Sequence, residues 1–205
     1  MENVLEIALA TRAAYSAHAE LYSSQTRSFA RFPGLEGELR DALSTLPAGR
    51  VLDVGCGSGR DAELAERLGR QVVAADASFE LLMRLPGPLK RGTVCCDVIR
   101  LPFRGRCFAG VIASGILLHL PKRSCQWALV EIARVLVSRG SAIISMKRGT
   151  GEGWRRSGDF PVPRWFAYYR PDEFANLCEE AGLVVSDLKV IHRKDWFTVY
   201  AQRRG

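Results

Sequence analysis

Three aspartates, each closing a short apolar run, mark where this chain can do chemistry. Asp53 follows Val51-Leu52, Asp76 follows Val72-Val73-Ala74-Ala75, and Asp97 follows Val94-Cys95-Cys96. Two residues after Asp53 comes Gly55-Cys56-Gly57-Ser58-Gly59, and then helical periodicity from Arg60 to Gly69. Strand, glycine-rich turn and helix in that order bring bare backbone N–H groups and a helix N-terminus up to a ligand. The glycine order narrows the ligand. A dinucleotide fingerprint, Gly-x-Gly-x-x-Gly, would put its third glycine at position 60, where this chain has Arg60. No Gly-Lys-Ser/Thr follows, so the turn is not a phosphate-cradling loop and instead suits a nucleoside without a pyrophosphate. Asp76 stands 21 residues beyond Gly55, and a carboxylate at that distance on the neighbouring strand tip can accept both ribose hydroxyls. On the residues alone other roles stay open: Asp53 as a cap that orients the turn, Asp76 and Asp97 as solvated loop acids or helix N-caps.

Positioning these acids requires strands that all end at one edge. The core is an alternation: strand from Val51, helix to Gly69, strand Gln71–Ala75, helix near Phe79–Arg84, strand Thr93–Cys96, strand Phe108–Ser114, helix from Lys122 to Val137, and strand Ala142–Met146. Such alternation predicts a parallel sheet covered on both faces, with right-handed crossovers placing the strand tips along one ligand-binding edge. Helices precede it at Leu5–Ala19, Tyr22–Phe32 and Gly37–Leu46. Residues 147–170 lose periodicity and carry Gly149, Gly151, Gly153, Gly158, Pro161 and Pro163, which predicts a long functional or mobile loop. Pro171–Gly182 reads as a helix with proline in its first turn and glycine at its end. Leu183–Ile191 and Trp196–Gln202 read as an antiparallel strand pair across 192–195.

The run Asp-x-Gly-x-Gly-x-Gly, with two further strand-tip acids, resembles the class I S-adenosylmethionine-dependent methyltransferases. What the resemblance implies is an α/β, Rossmann-like, doubly wound fold: a mostly parallel seven-stranded sheet with an antiparallel C-terminal strand, plus N-terminal helices. It implies S-adenosyl-L-methionine as cofactor and S-adenosyl-L-homocysteine as product. Asp53, Gly55, Cys56, Gly57 and Gly59 would hold the cofactor, Asp53 reaching its methionine amino group. Asp76 with Ala77 would take the ribose and Asp97 with Val98 the adenine. Ser114, closing the fourth strand, would complete the set, beside the region where the family places the methyl acceptor. His119 lies in that region and is the candidate catalytic base, its ordinary pKa being near neutrality; the other reading is a histidine packed under the cleft rim. Tyr15-Ser-Ala-His-Ala-Glu-Leu-Tyr22 is similar to a Tyr-x-x-x-Ala-x-x-Tyr lid in relatives, or forms a helix face against the sheet. In the 147–170 loop, Lys147, Trp154, Arg164 and Tyr168 are the substrate candidates, since mixed aromatics and cations suit a planar, acidic acceptor or a nucleotide base.

The chain departs from the family at Phe108-Ala109, where many relatives have Phe-Asp, and at Ser138-Arg139-Gly140-Ser141, where they have Pro-Gly-Gly. It has no Asn-Pro-Pro-Tyr, which argues against amino-methylation of nucleic-acid bases. Ile116–Pro121 and Ala128–Leu136 are similar to tRNA wobble-uridine methyltransferases, but that branch's paired histidine and Trp-Ala are missing.

Composition bounds the rest. With 205 residues and 47% hydrophobic content, the chain reads as a single domain, 1–205, with a helical cap (1–49), a cofactor core (50–146), a substrate loop (147–170) and a C-terminal helix and strand pair (171–205). No basic-then-apolar leader or 18-residue apolar run is read, so the expectation is a cytoplasmic protein without membrane contact, monomeric or homodimeric. The six cysteines show no Cys-x-x-Cys spacing; reduced thiols and no metal are expected. The formal charge of +7 suits an anionic partner such as RNA, though no run of five basic residues occurs. The expected activity is methyl transfer to oxygen or nitrogen of a small molecule, the alternatives being a tRNA methyltransferase and a catalytically silent S-adenosylmethionine-binding protein. A nicotinamide-dependent oxidoreductase is disfavoured by Arg60.

Overall fold

A computed structural model describes residues 3–189 and 195–205. Its centre is strand β1 (Val51–Val54), four residues with no exposed side chain. β2 (Val72–Asp76) and β3 (Thr93–Cys95) lie to one side. To the other lie β4 (Phe108–Ser114) and β5 (Leu136–Lys147), with β8 (Leu183–Lys189) and β9 (Trp196–Arg203) beyond. The seven strands run in the order β3-β2-β1-β4-β5-β9-β8. β1 to β5 pair in parallel, and β9 enters antiparallel between β5 and β8. This is the doubly wound, mostly parallel seven-stranded sheet expected. Residues 190–194, which include the end of the expected strand Leu183–Ile191 and most of the turn 192–195, lie outside the described residues.

Alternation along the strands sorts two cores. Val51, Ile112 and Ile143 face α3 (Leu35–Ser44), whose Leu35, Leu39 and Leu43 recur every fourth residue, and α4 (Arg60–Arg67). Leu52, Val111, Ala142 and Ile144 face the opposite way, onto α7 (Lys122–Val135) and α8 (Pro171–Glu180). Two short helices, α5 (Phe79–Leu82) and α6 (Gly87–Lys90), connect β2 to β3.

The register fixes the edge. Asp76 is opposite Cys95, and Ser114 is opposite Ser145, so the turn after β1 and the ends of β2 to β5 open on the same side. Over that side lie α1 (Val4–Ala17) and α2 (Ala19–Thr26). α1 begins with a capping box in which Asn3 and Glu6 satisfy each other's backbone N–H groups. The single helix expected to Ala19 is instead interrupted at His18.

The larger correction concerns 147–170, which was expected as an irregular loop. It contains an antiparallel hairpin, β6 (Glu152–Arg155) with β7 (Arg164–Ala167). Glycines and prolines hid it: Gly153 sits inside β6 with φ 156°, and Gly158, Pro161 and Pro163 fall in the turn. The pairing makes Arg164 and Phe166 neighbours on one face and Trp165 part of the other.

Candidate active site

The turn after β1 is built from glycine for steric reasons. Gly55 has φ 71° and Gly57 φ 55°, and a Cβ at Gly55 would collide with the Ile116 side chain. A Cβ at Gly57 would stand 3.1 Å from the Tyr22 ring. Gly59 lies at the N-cap of α4, outside the lining of the two cavities described below, and a Cβ there would press on Leu85 at 2.5 Å. Asp76 braces the turn. Its two oxygens accept from the N–H groups of Gly57 (2.9 Å) and Ser78 (2.8 Å). Burial raises the Asp76 pKa, and those backbone donors pull it back.

A first cavity of about 110 Å³ opens along this edge. Gly55, Gly57, Asp76, Ala77, Asp97, Val98 and Ser114 line it, all of them sequence candidates, and Tyr15, Tyr22 and His119 close it from above. Asp53 and Cys56 stand behind the turn, in a small adjoining space with Arg60, Asp61 and Ser114. Asp53 is held well above the ordinary carboxylate range, by burial first and then by Asp61. One Asp53 oxygen and the Ser114 hydroxyl are buried without a hydrogen-bond partner. Orphaned acceptors beside a cradle that a Cβ would fill are what an adenosine carrying an ammonium group would satisfy. Arg60, which reads as the wrong residue for a third glycine, pairs with Asp61 at 2.7 Å and stacks on Phe32 at 4.1 Å.

A second cavity, about 160 Å³, adjoins the first. Tyr15, Tyr22, Ser114, Gly115 and His119 form a common wall, and the far side is Lys147, Ser157, Arg164, Phe166 and Trp196. Tyr15 and Tyr22 meet edge to face at 5.0 Å. Of the six substrate candidates, Tyr15, Tyr22, Lys147 and Arg164 line this cavity. Trp154 and Tyr168 do not: Trp154 packs on Trp165 (5.7 Å), and Tyr168 stacks on Phe166 (6.1 Å). Ser145, Ser157, Phe166 and Trp196 are lining residues that sequence reading missed. The alternation Arg164, Phe166 would have exposed one of them had the hairpin been read.

A chain of hydrogen bonds crosses the common wall, and its ends fix every proton. The Trp165 carbonyl can only accept, so His119 Nδ1 donates to it (2.7 Å). Nε2 is then the acceptor and takes the Tyr15 hydroxyl proton (2.7 Å). Arg164 can only donate, and its Nη1 gives to the Tyr15 oxygen (2.7 Å). Burial drives the His119 pKa down to about 3 and holds Tyr15 far above its ordinary value. The structure thus places His119 on the wall between the two cavities, with both ring nitrogens hydrogen-bonded, Nδ1 to Trp165 and Nε2 to Tyr15. Among the described residues no helix is long and apolar enough to cross a membrane, and no metal-binding cluster of His, Cys, Asp and Glu occurs.

Comparison with known proteins agrees with this construction. Residues 52–144 match the family model of a methyltransferase domain. No curated protein matches by sequence. Among solved structures, the 1,6-didemethyltoxoflavin-N1-methyltransferase of Burkholderia thailandensis, with bound 1,6-didemethyltoxoflavin and S-adenosylhomocysteine, aligns at TM-score 0.79 and 22% identity over 100% of this chain and 92% of that one. An S-adenosylmethionine-dependent methyltransferase of Clostridium acetobutylicum aligns at TM-score 0.73 and 14% identity, covering 93% and 99%. The [4+2]-cyclase SpnF has TM-score 0.65 at 18% identity, covering 83% and 80%; the same fold therefore also carries a different chemistry. Residues 52–144, which hold the glycine turn and the strand-tip acids, thus match a methyltransferase domain, and the whole chain has the fold of S-adenosylmethionine-dependent methyltransferases.

Proposed function

We propose that the chain methylates nitrogen or oxygen of a small, planar acceptor held in the second cavity, with the cofactor in the first. The observation that carries this reading is the common wall: two cavities meet at Ser114, Gly115 and the Tyr15–His119 pair, and the second is lined by residues of the N-terminal helices and the hairpin. An aromatic-lined cleft of that size suits a small ring better than a macromolecule. The toxoflavin-type enzyme, named for a small-molecule substrate methylated at N1, supports the same class. S-adenosylmethionine held in the first cavity would supply an electrophilic methyl group, the electron pair of the C–S bond remaining on sulfur.

The protein's part is placement. Asp76 and Asp97 would receive the ribose and adenine, and Asp53 the amino group. Tyr22 rests on the turn and Tyr15 spans both cavities, so the pair closes the cofactor in while forming the acceptor's floor. His119 positions Tyr15 and does not itself remove a proton. In-line alignment then supplies most of what the displacement needs.

Incubation of the protein with methyl-labelled cofactor and either bulk tRNA or a small-metabolite fraction tests the proposal. Label should enter the small-molecule pool. Label in tRNA, with tRNA binding that persists at physiological salt, would overturn it, because scattered cations give only salt-sensitive association.

A further inference from the structure

We infer that the acceptor is bound as an anion, its charge received by Arg164 and Lys147, and that this cation pair, in place of a general base, makes it a nucleophile. The inference rests on the second cavity being the acceptor site. Arg164 is 7% exposed. Its Nη1 donates to Tyr15 and its Nη2 to the Ser157 carbonyl at 3.1 Å, and its Nε is buried with no partner. Lys147 Nζ donates to Ser157 Oγ at 3.2 Å and lies 5.0 Å from the Phe166 ring centroid. Neither cation forms an ion pair among the described residues. The third cation of the cavity, Arg60, is already neutralised by Asp61.

Buried charge is ordinarily paired, because an uncompensated charge away from water is costly. Aromatic rings partly stand in: the Arg164 guanidinium carbon lies 3.9 Å from the Phe160 centroid and 5.3 Å from Phe166. Among the described residues they leave the Arg164 Nε–H and two Lys147 protons without a hydrogen-bond acceptor. Lys147 is also depressed from its ordinary pKa, by burial first and then by Arg164, with Asp195 acting the other way from beyond ion-pair distance. Two cations on one wall, one with an unused buried donor, are arranged for a ligand that brings the negative charge.

The same charge serves the chemistry. On the common wall His119 Nε2 is engaged by the Tyr15 hydroxyl. In this proposal the acceptor gives its proton to solvent before transfer, leaving an anion that the pair retains. Once methylated the acceptor is neutral and loses that attraction, which favours release. Because the charge is cancelled in the transition state, the pair helps through the population of anion. Each unit by which it lowers the acceptor's pKa raises that population about tenfold below the pKa.

The probe is 4-nitrophenol, planar and coloured only when ionised, titrated against protein loaded with S-adenosylhomocysteine. Bound nitrophenol should ionise at least about one pH unit below free nitrophenol, and neutral nitrobenzene should bind about tenfold more weakly. Lys147→Gln should restore ionisation towards the free value, and Lys147→Arg should recover the shift. Arg164→Gln should act like Lys147→Gln, but it also frees Tyr15, so Lys147 decides where Arg164→Gln fails to fold. Arg155→Gln, an exposed cation of the same hairpin, should change nothing. Nitrophenol bound in its neutral form, equal binding of nitrobenzene, no binding at millimolar probe, or a shift that survives Lys147→Gln would each overturn the inference. Those results leave small-molecule methylation standing; only transfer of label to tRNA removes that.

Discussion

The cofactor side and the acceptor side of this molecule are built in opposite ways. The first is made of backbone and short acids at strand ends within residues 53–98, where Gly57 N–H and Asp76 complete each other at 2.9 Å. The second is made of long side chains gathered from α1, α2, the turn after β4, β5 and the hairpin, and Tyr15 meets Arg164 across a separation of 149 residues. A ligand shared by a whole family can be held by a contiguous motif, because the sheet register fixes it. A ligand particular to one member must be met by residues that folding alone brings together.

The largest test of this contrast is Asp76→Ala. It removes the proposed ribose acceptor and also leaves the N–H groups of Gly57 and Ser78 without theirs. Affinity for S-adenosylhomocysteine is expected to fall by about 2–4 kcal/mol, measured by calorimetric titration. An unchanged dissociation constant would show that the strand tips do not hold the cofactor.

The acceptor side has an acid-sensitive member instead. His119 is neutral when folded, with its pKa lowered to about 3 by burial, whereas the unfolded chain protonates it near pH 6.5. Between these values the unfolded state binds more protons, so stability is full above pH 6.5 and falls as the pH drops, by about 1.4 kcal/mol per unit. Buried Asp53 and Asp76, with raised pKa values, act in the opposite sense wherever the folded carboxyl keeps a proton that the unfolded one has lost. The His119 share is therefore read as a difference: His119→Gln should flatten the denaturation midpoint between pH 6.5 and 5. Parallel profiles for the two proteins would mean that the imidazole is charged in the fold.

What was legible follows the same division. The order of strands, the glycine turn and Asp53, Asp76 and Asp97 could be read because each depends on neighbours within a few residues. Tyr15 and Arg164 could be read only as types, an aromatic and a cation. Nothing local to His119 shows that its nitrogens are engaged, since Trp165 and Tyr15 lie 46 and 104 residues away. Arg60 and Phe166 were passed over for different reasons. The first looked like a broken glycine motif, and the second sat in a hairpin disguised by glycine and proline.

Two tyrosine hydroxyls sharpen the contrast at the smallest scale. Tyr15→Phe removes the link between His119 and Arg164 and leaves a buried acceptor and a buried donor unpaired. A loss of about 1–2 kcal/mol in nitrophenol binding is expected, with S-adenosylhomocysteine affinity nearly unchanged because backbone and carboxylates dominate there.

Tyr168→Phe makes the same chemical change in the segment that sequence reading treated as one substrate loop. Tyr168 is half-buried and lies outside the lining of both cavities, and its ring stacks on Phe166 at 6.1 Å with an interplanar angle of 15°. The stack depends on the ring, which phenylalanine keeps. Stability, cofactor affinity and nitrophenol binding should therefore all stay within about 0.5 kcal/mol of wild type. Thermal melts and the two titrations check this on one preparation. A Tyr168→Phe loss as large as that of Tyr15→Phe would show that the acceptor reaches past Phe166 along the hairpin. The acceptor side would then be a surface running the length of β7, and no longer a cavity ending at Arg164.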